Sequence, residues 1–416
     1  MIKKLISFFL FLMILSGCAN GSGASSTTKA DDSKSTPEGV NKTINSNNQF
    51  AFDLYLKLKD VPEYNESNIF FSPYSISVAL GMTYEGAKGE TAEEIQSVFY
   101  FPEDKNIRQS SFAKIYNQIN KVDKKYKLHT ANALWAQKDY KFLEEYINTI
   151  EKYYVGKVTN VDFINATEDA RVIINKWVEE QTNNKIKDLI PQGVLDALTR
   201  LVLTNAIYFK GIWVKQFDKE DTIEEDFRIS PNKTIKVPMM RLTGEEAKFN
   251  YAETEELQIL EMLYEGEELS MLILLPKEDN LKSVEESLSV EKLSELRNML
   301  VEQQVDIYIP KFKFETKYFM VKTLEEMGMP TAFSMDADFS GMDGTTDLFI
   351  ANVIHQAFVD VNEEGTEAAA ATGVVMELKA AMPTVFCADH PFIFMIQERE
   401  TGNILFLGRV VDPTQK

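Results

Sequence analysis

The run Val361-Asn362-Glu363-Glu364-Gly365-Thr366-Glu367-Ala368-Ala369-Ala370-Ala371-Thr372-Gly373-Val374-Val375-Met376 carries two instructions that disagree. Its consecutive alanines favour helix, yet Gly365 and Gly373 bracket them and β-branched residues follow. Such a stretch can hold two conformations, and any fold for the chain must leave room for both. Written as a strand, the even-numbered side chains from Thr366 to Met376 share one face, while Glu367 and Glu377 fall on the other. One face is therefore free of charge and fit to enter a sheet. Read alone, the same run can also be a solvated loop.

The start of the chain is the next constraint. Lys3 and Lys4 precede an apolar run from Leu5 to Leu15, too short to span a bilayer comfortably, which ends in Leu15-Ser16-Gly17-Cys18. This is similar to a bacterial lipoprotein signal. The likeness implies removal of residues 1–17, acylation of Cys18 and anchoring to the outer face of the cell membrane. An ordinary secretory signal and an uncleaved anchor are the alternatives, and the cysteine at the cleavage point weighs against both. Residues 18–48, rich in Ser, Thr, Asn and Gly, read as a flexible tether. A formal charge of −20 disfavours nucleic acid and anionic membrane as partners, so the membrane is reached only through lipidated Cys18. With Cys18 acylated, Cys387 has no disulfide partner and the domain rests on its core alone.

Residues 49–416 read as one domain. Phe50, Ala51, Leu54, Tyr55 and Leu58 recur at helical spacing, Ile69-Phe70-Phe71 is a short buried strand ending at Ser72-Pro73, and Ile76 to Tyr84 is a helix apolar nearly all round. Thr91 to Glu94 matches the Thr-x-x-Glu capping box of another helix. Helices are expected over 142–154, 169–182, 284–300 and 318–327. Leu201 to Phe209 is apolar enough for a central strand. Short strands follow, with Val305 to Phe314 a clear alternation, and Phe392 to Ile396 and Ile404 to Val410 form a closing hairpin. Helices early and strands late make an α+β class.

Nothing in the sequence supports an enzyme. His129, His355 and His390 do not cluster, and no metal-ligand spacing, nucleophile elbow, phosphate loop or dinucleotide fingerprint occurs, so no cofactor is expected. Cys387 and His390 sit too close along one short segment to face each other as a nucleophile and base; Cys387 reads as a half-buried thiol.

The motifs that remain resemble those of the serpins from about Asn45 to Pro413. They are Asn68-Ile69-Phe70-Phe71-Ser72-Pro73-Tyr74-Ser75-Ile76 with Gly86-Ala87-Lys88-Gly89-Glu90-Thr91, then Asn205-Ala206-Ile207-Tyr208-Phe209-Lys210-Gly211-Ile212-Trp213, Ile309-Pro310-Lys311-Phe312 and Ala388-Asp389-His390-Pro391-Phe392-Ile393-Phe394. The resemblance implies a metastable fold of three β-sheets and about nine helices, with an exposed reactive-centre loop at about residues 363–390. In that family a serine protease cleaves the loop and is held as an acyl-enzyme while the loop inserts into the central sheet. Carried over by position, Glu363 begins the hinge, Gly365 gives it backbone freedom, Thr366 enters the sheet first, and Ala368, Ala369, Ala370 and Ala371 are small enough to follow. Ser72, Ser75, Asn205 and His355 correspond to the polar cluster where the sheet opens.

The family's spacing from Glu363 places the scissile bond between Lys379 and Ala380. A trypsin-like protease is then the target, since Lys379 presents a cation on a long stem. A count shifted by one residue makes Leu378 or Ala380 decisive, for chymotrypsin-like or for elastase- and subtilisin-like proteases respectively. The reading is a monomeric suicide inhibitor of extracellular serine proteases, with a non-inhibitory serpin used for binding or storage as the alternative.

Overall fold

A computed structural model describes residues 29–121, 124–278, 280–366 and 384–416. Cys18, Ala368 to Ala371, Lys379 and Ala380 lie outside these residues.

The strand Leu201–Ile212 is apolar on both faces because both are covered. It is central to a six-stranded sheet whose order is Phe312–Phe319, Ile350–Asn362, Leu201–Ile212, Lys127–Gln137 and Lys157–Val161, with the two-residue strand Gly365–Thr366 set between Ile350–Asn362 and Leu201–Ile212. Its inner face supplies Leu203, Ile207 and Phe209 to the main core. Its outer face, with Ala131, Trp135, Val202 and Ile354, packs beneath Ile174 and Val178 of the helix Thr167–Gln181.

The remaining strands form a connected set of ten, which the strand Val301–Pro310 divides. Val301 to Gln304 pair with Lys248–Glu253, whereas Ile307 to Pro310 pair with Lys233–Leu242. The closing hairpin is Phe392–Glu398 with Ile404–Val410. Ten α-helices are present among the described residues, near the expected nine. Helix Pro73–Tyr84 is buried almost throughout, as its all-round apolar sequence demands.

Several expectations are corrected, most of them by partners distant in sequence. The alternation over 305–314 is two strands, Val301–Pro310 and Phe312–Phe319, broken at Lys311, whose cation is drawn away to Glu363. The helix expected over 284–300 is two, Leu281–Glu286 and Val290–Met299, because Ser289 starts the second by accepting a hydrogen bond from the Lys292 amide at 3.1 Å. Thr91 and Glu94 form no capping box. The helix starts at Gly89, the Thr91 hydroxyl accepts from the Asp338 amide at 2.9 Å, and Glu94 accepts from the amide and hydroxyl of Thr331, both at 2.9 Å.

The largest correction concerns the stretch read as tether over 18–48. From Pro37 it is already helix, running Pro37–Lys59 with Thr36 as its N-cap. Asn47 and Asn48 are buried rather than solvated because the closing hairpin receives them: Asn47 donates to the Ile404 carbonyl at 2.9 Å and Asn48 to the Gly402 carbonyl at 2.8 Å. Upstream, a short strap is pinned to the body. Asn117 grips the Ala30 backbone from both sides, at 3.0 and 2.9 Å, and Asp31 pairs with Lys152 at 3.0 Å. Asn117→Ala removes both backbone contacts, each worth about 0.5–1.5 kcal/mol. The strap should then become cleavable by limited proteolysis, with stability reduced by about 1–3 kcal/mol; an unchanged digestion pattern would count against a structural role for the strap.

Candidate functional site

At one end of the six-stranded sheet the two central strands are held apart. Ile350–Asn362 and Leu201–Ile212 run parallel and are paired from Ile350–Leu201 as far as Phe358–Tyr208. Beyond that point Gly365–Thr366 occupies the gap, with Thr366 opposite Val361 on one side and Gly211 on the other. The chain turns back over Glu363 and Glu364 to reach this position. Gly365 is required there: its φ is +152°, and a Cβ would lie 2.1 Å from the Gly211 carbonyl oxygen.

A cage of side chains holds the inserted pair. Thr366 is 1% exposed, and its hydroxyl meets the Tyr264 hydroxyl at 2.9 Å. Tyr264 stacks on Trp213 with ring centroids 4.4 Å apart, and Trp213 donates its indole N–H to the Asn362 carbonyl at 3.0 Å. The Trp213 and Phe217 amides donate to the carbonyls of Glu364 and Glu363 at 2.9 and 2.8 Å. Both hinge carboxylates are buried, and each has a cation. Lys311 reaches Glu363 at 2.8 Å, and Thr222 donates to the same carboxylate at 2.9 Å. Burial pushes the Glu363 carboxyl up, but Lys311 and Thr222 outweigh it and hold it below its usual range. Lys219 pairs with Glu364, which raises the lysine's own pKa.

A second polar group lies further down the same two strands. His355 and Asn205 are register partners, and Ser72 and Ser75 come up beneath them on the first turn of helix Pro73–Tyr84. The Ser72 amide donates to His355 Nε2 at 3.1 Å, so Nδ1 carries the proton and donates to the Asn205 side-chain Oδ1. Asn205 in turn donates to Ser75 Oγ at 2.7 Å and to Asn132 Oδ1 at 2.6 Å, and Ser72 Oγ donates to the Leu405 carbonyl at 2.6 Å. Complete burial pushes the His355 pKa down to about 3, so the ring is neutral. A neutral, fully engaged histidine with no approach for a substrate is a structural element rather than a base.

The motifs in the sequence point to Ser72, Ser75, Asn205 and His355 and miss Asn132, which joins Ser75 to Asn205 across the neighbouring strand. An asparagine amid the alanines of Thr130-Ala131-Asn132-Ala133 is the available signal. Tyr264, Lys219 and Thr222 are missed as well, having no local pattern to mark them. Cys387 is half-buried on the strand Thr384–Cys387, and burial raises its thiol to about 11, far from a nucleophile's range. The His390 ring is engaged by Asp389 and by the Pro276 carbonyl, both at 2.7 Å.

Comparison with known proteins agrees with this architecture. The chain matches the serpin (serine protease inhibitor) family over residues 45–413. It is 43% identical to an uncharacterized serpin-like protein of Methanosarcina acetivorans across 99% of both chains. It is 44% identical to the bovine leukocyte elastase inhibitor, over 88% of this chain and 98% of that one. Human thyroxine-binding globulin, solved with its hormone, superimposes with a TM-score of 0.82 at 33% identity, covering 90% of this chain and all of its own. With its landmark motifs matched in order, an extended hinge seated in the central sheet and relatives alike over almost their whole length, this chain belongs to the serpin family.

Proposed function

We propose that this serpin is a suicide inhibitor of extracellular serine proteases, in which the loop beyond Thr366 follows Thr366 into the central sheet after cleavage. The observation that carries this reading is the seated hinge. Gly365 and Thr366 are already a strand, antiparallel to both neighbours, so the sheet accepts a strand at the place and in the direction that insertion requires. The residues behind them, Ala368 to Ala371, are small and leave no charge on the inward face.

Lys379 is proposed as the residue that fills the protease's acidic primary pocket, with the bond to Ala380 cleaved. The likeness to a leukocyte elastase inhibitor supports the serine protease class, and the lysine directs the choice toward trypsin-like enzymes. The acylated Cys18 is proposed to hold the domain on the outer face of the membrane, where such proteases are met.

Incubation with trypsin followed by a denaturing gel tests the reading. The expected result is a stable band near the summed masses of the two proteins, with a new amino terminus at Ala380. Cleavage that leaves trypsin fully active would overturn inhibition and favour a binding role, as thyroxine-binding globulin has toward its hormone.

A further inference from the structure

The seam that has to part is crossed on its outer face by a cation. Directly beyond the inserted Gly365–Thr366 pair, the first residues still joined across the two central strands are Phe358 and Tyr208. Their parity matches that of Ile354 and Ala206, so both rings lie on the face covered by the helix Thr167–Gln181. The rings approach to 6.2 Å between centroids, tilted by 51°. Lys185 Nζ sits above both, 5.7 Å from the Tyr208 ring and 5.8 Å from the Phe358 ring.

Lys185 is not placed there by chance rotation of a surface stem. Its amide donates to the Thr182 carbonyl at 3.0 Å, and its neighbour Ile186 is fully buried, so the backbone beneath it is fixed. Two further side chains extend the row. His129 stacks on Tyr208 at 5.8 Å from the adjacent strand, and Lys313 lies 5.5 Å over Phe358 from the other side. Of the two lysines, only Lys185 contacts rings on both sides of the seam.

We infer that Lys185 is a positioning residue that clasps the closed part of the sheet and sets how fast it opens. A cation shared by two rings is attracted to both only while they stay together. Any strand advancing behind Thr366 in the same register separates Tyr208 from Phe358 before it separates any lower pair, so the shared contact is lost early in the opening. The clasp slows opening without touching the bait, and so acts on the competition between insertion and deacylation. This inference rests on the insertion reading proposed above.

The test uses the full-length protein without any protease. Warm incubation is followed by timing the gain of a heat-resistant, loop-inserted form, and trypsin complex yield is measured in parallel. Lys185→Met, which keeps the stem and loses the charge, should convert roughly fivefold faster, the scale of a partly exposed cation–ring contact. Lys185→Arg should restore the original rate, and Lys313→Met should have less effect. In a Phe358→Leu background, Lys185→Met should add little. Conversion of Lys185→Met at the wild-type rate would overturn the clasp, as would equal acceleration by Lys185→Arg. Should Lys185→Met fail to fold, a Phe358→Leu variant no faster than wild type would overturn it equally. If the wild-type protein converts on heating but forms no trypsin complex, the inhibitory reading fails while the clasp is still decided by these rates. If neither the wild type nor Lys185→Met converts, the clasp is overturned, while the inhibitory reading still stands or falls on the trypsin complex.

Discussion

Thr366→Arg is expected to turn the protein from an inhibitor into a substrate. The threonine is 1% exposed, opposed by backbone on both sides, and its hydroxyl meets Tyr264 beneath the Trp213 ring. Among the described residues, the neighbouring carboxylates of Glu363 and Glu364 are already paired with Lys311 and Lys219. An unpaired guanidinium in such a site costs on the order of several kcal/mol. At about 1.4 kcal/mol per tenfold in rate, insertion would fall behind deacylation by roughly a hundredfold or more. The loop should then be cut at the wild-type rate, active trypsin released, and the complex band lost. An unchanged stoichiometry of inhibition would show that entry at Thr366 is not the trapping step.

The second large effect is on pH. His355 is neutral in the folded chain down to about 3, against an ordinary value of 6.5. Between those values the unfolded chain binds a proton that the folded chain refuses. The stability contributed by the neutral ring is therefore complete above about pH 6.5 and lost as pH falls, by about 1.4 kcal/mol per unit. His129, also depressed by burial, bends the curve in the same direction. Comparison with His355→Gln isolates the buried ring. Between pH 6.5 and 5 the wild type should lose about 2 kcal/mol more than the variant, although it is the more stable of the two at pH 8. Denaturant curves that run parallel across this range would exclude His355 as the source of acid sensitivity.

Local pattern carries much of the architecture and part of the site. Leu201 to Phe209 is mostly apolar and is a central strand; the hairpin around Gly402 and the buried helix after Ser72-Pro73 are equally plain. Parity in the conflicted run puts Thr366 on the inward face, and its side chain is buried there. What local pattern misses is satisfied from a distance. Asn47 and Asn48 look like tether and are buried because a hairpin more than three hundred residues away completes their hydrogen bonds. Thr91 and Glu94 have the spacing of a capping box but spend their oxygens on Asp338 and Thr331. Lys311 falls at the inward parity of Val305, Ile307 and Ile309, where a lysine looks out of place until Glu363 is seen beside it.

The two seated hinge residues also change the kinetic character of the transition proposed here. Cooperative ordering has a costly first step and cheaper later ones, because the first contacts fix several dihedrals for little return. With Gly365 and Thr366 in place, that nucleus exists before any protease arrives. Once the loop is cut, only propagation is left, and each added residue closes ladders on both of its sides. The speed of such a process is governed by its least willing residue rather than by the length of the loop. On that view the alanines after Thr366 add no slow step of their own, and the pace is left to the strands that must part ahead of them.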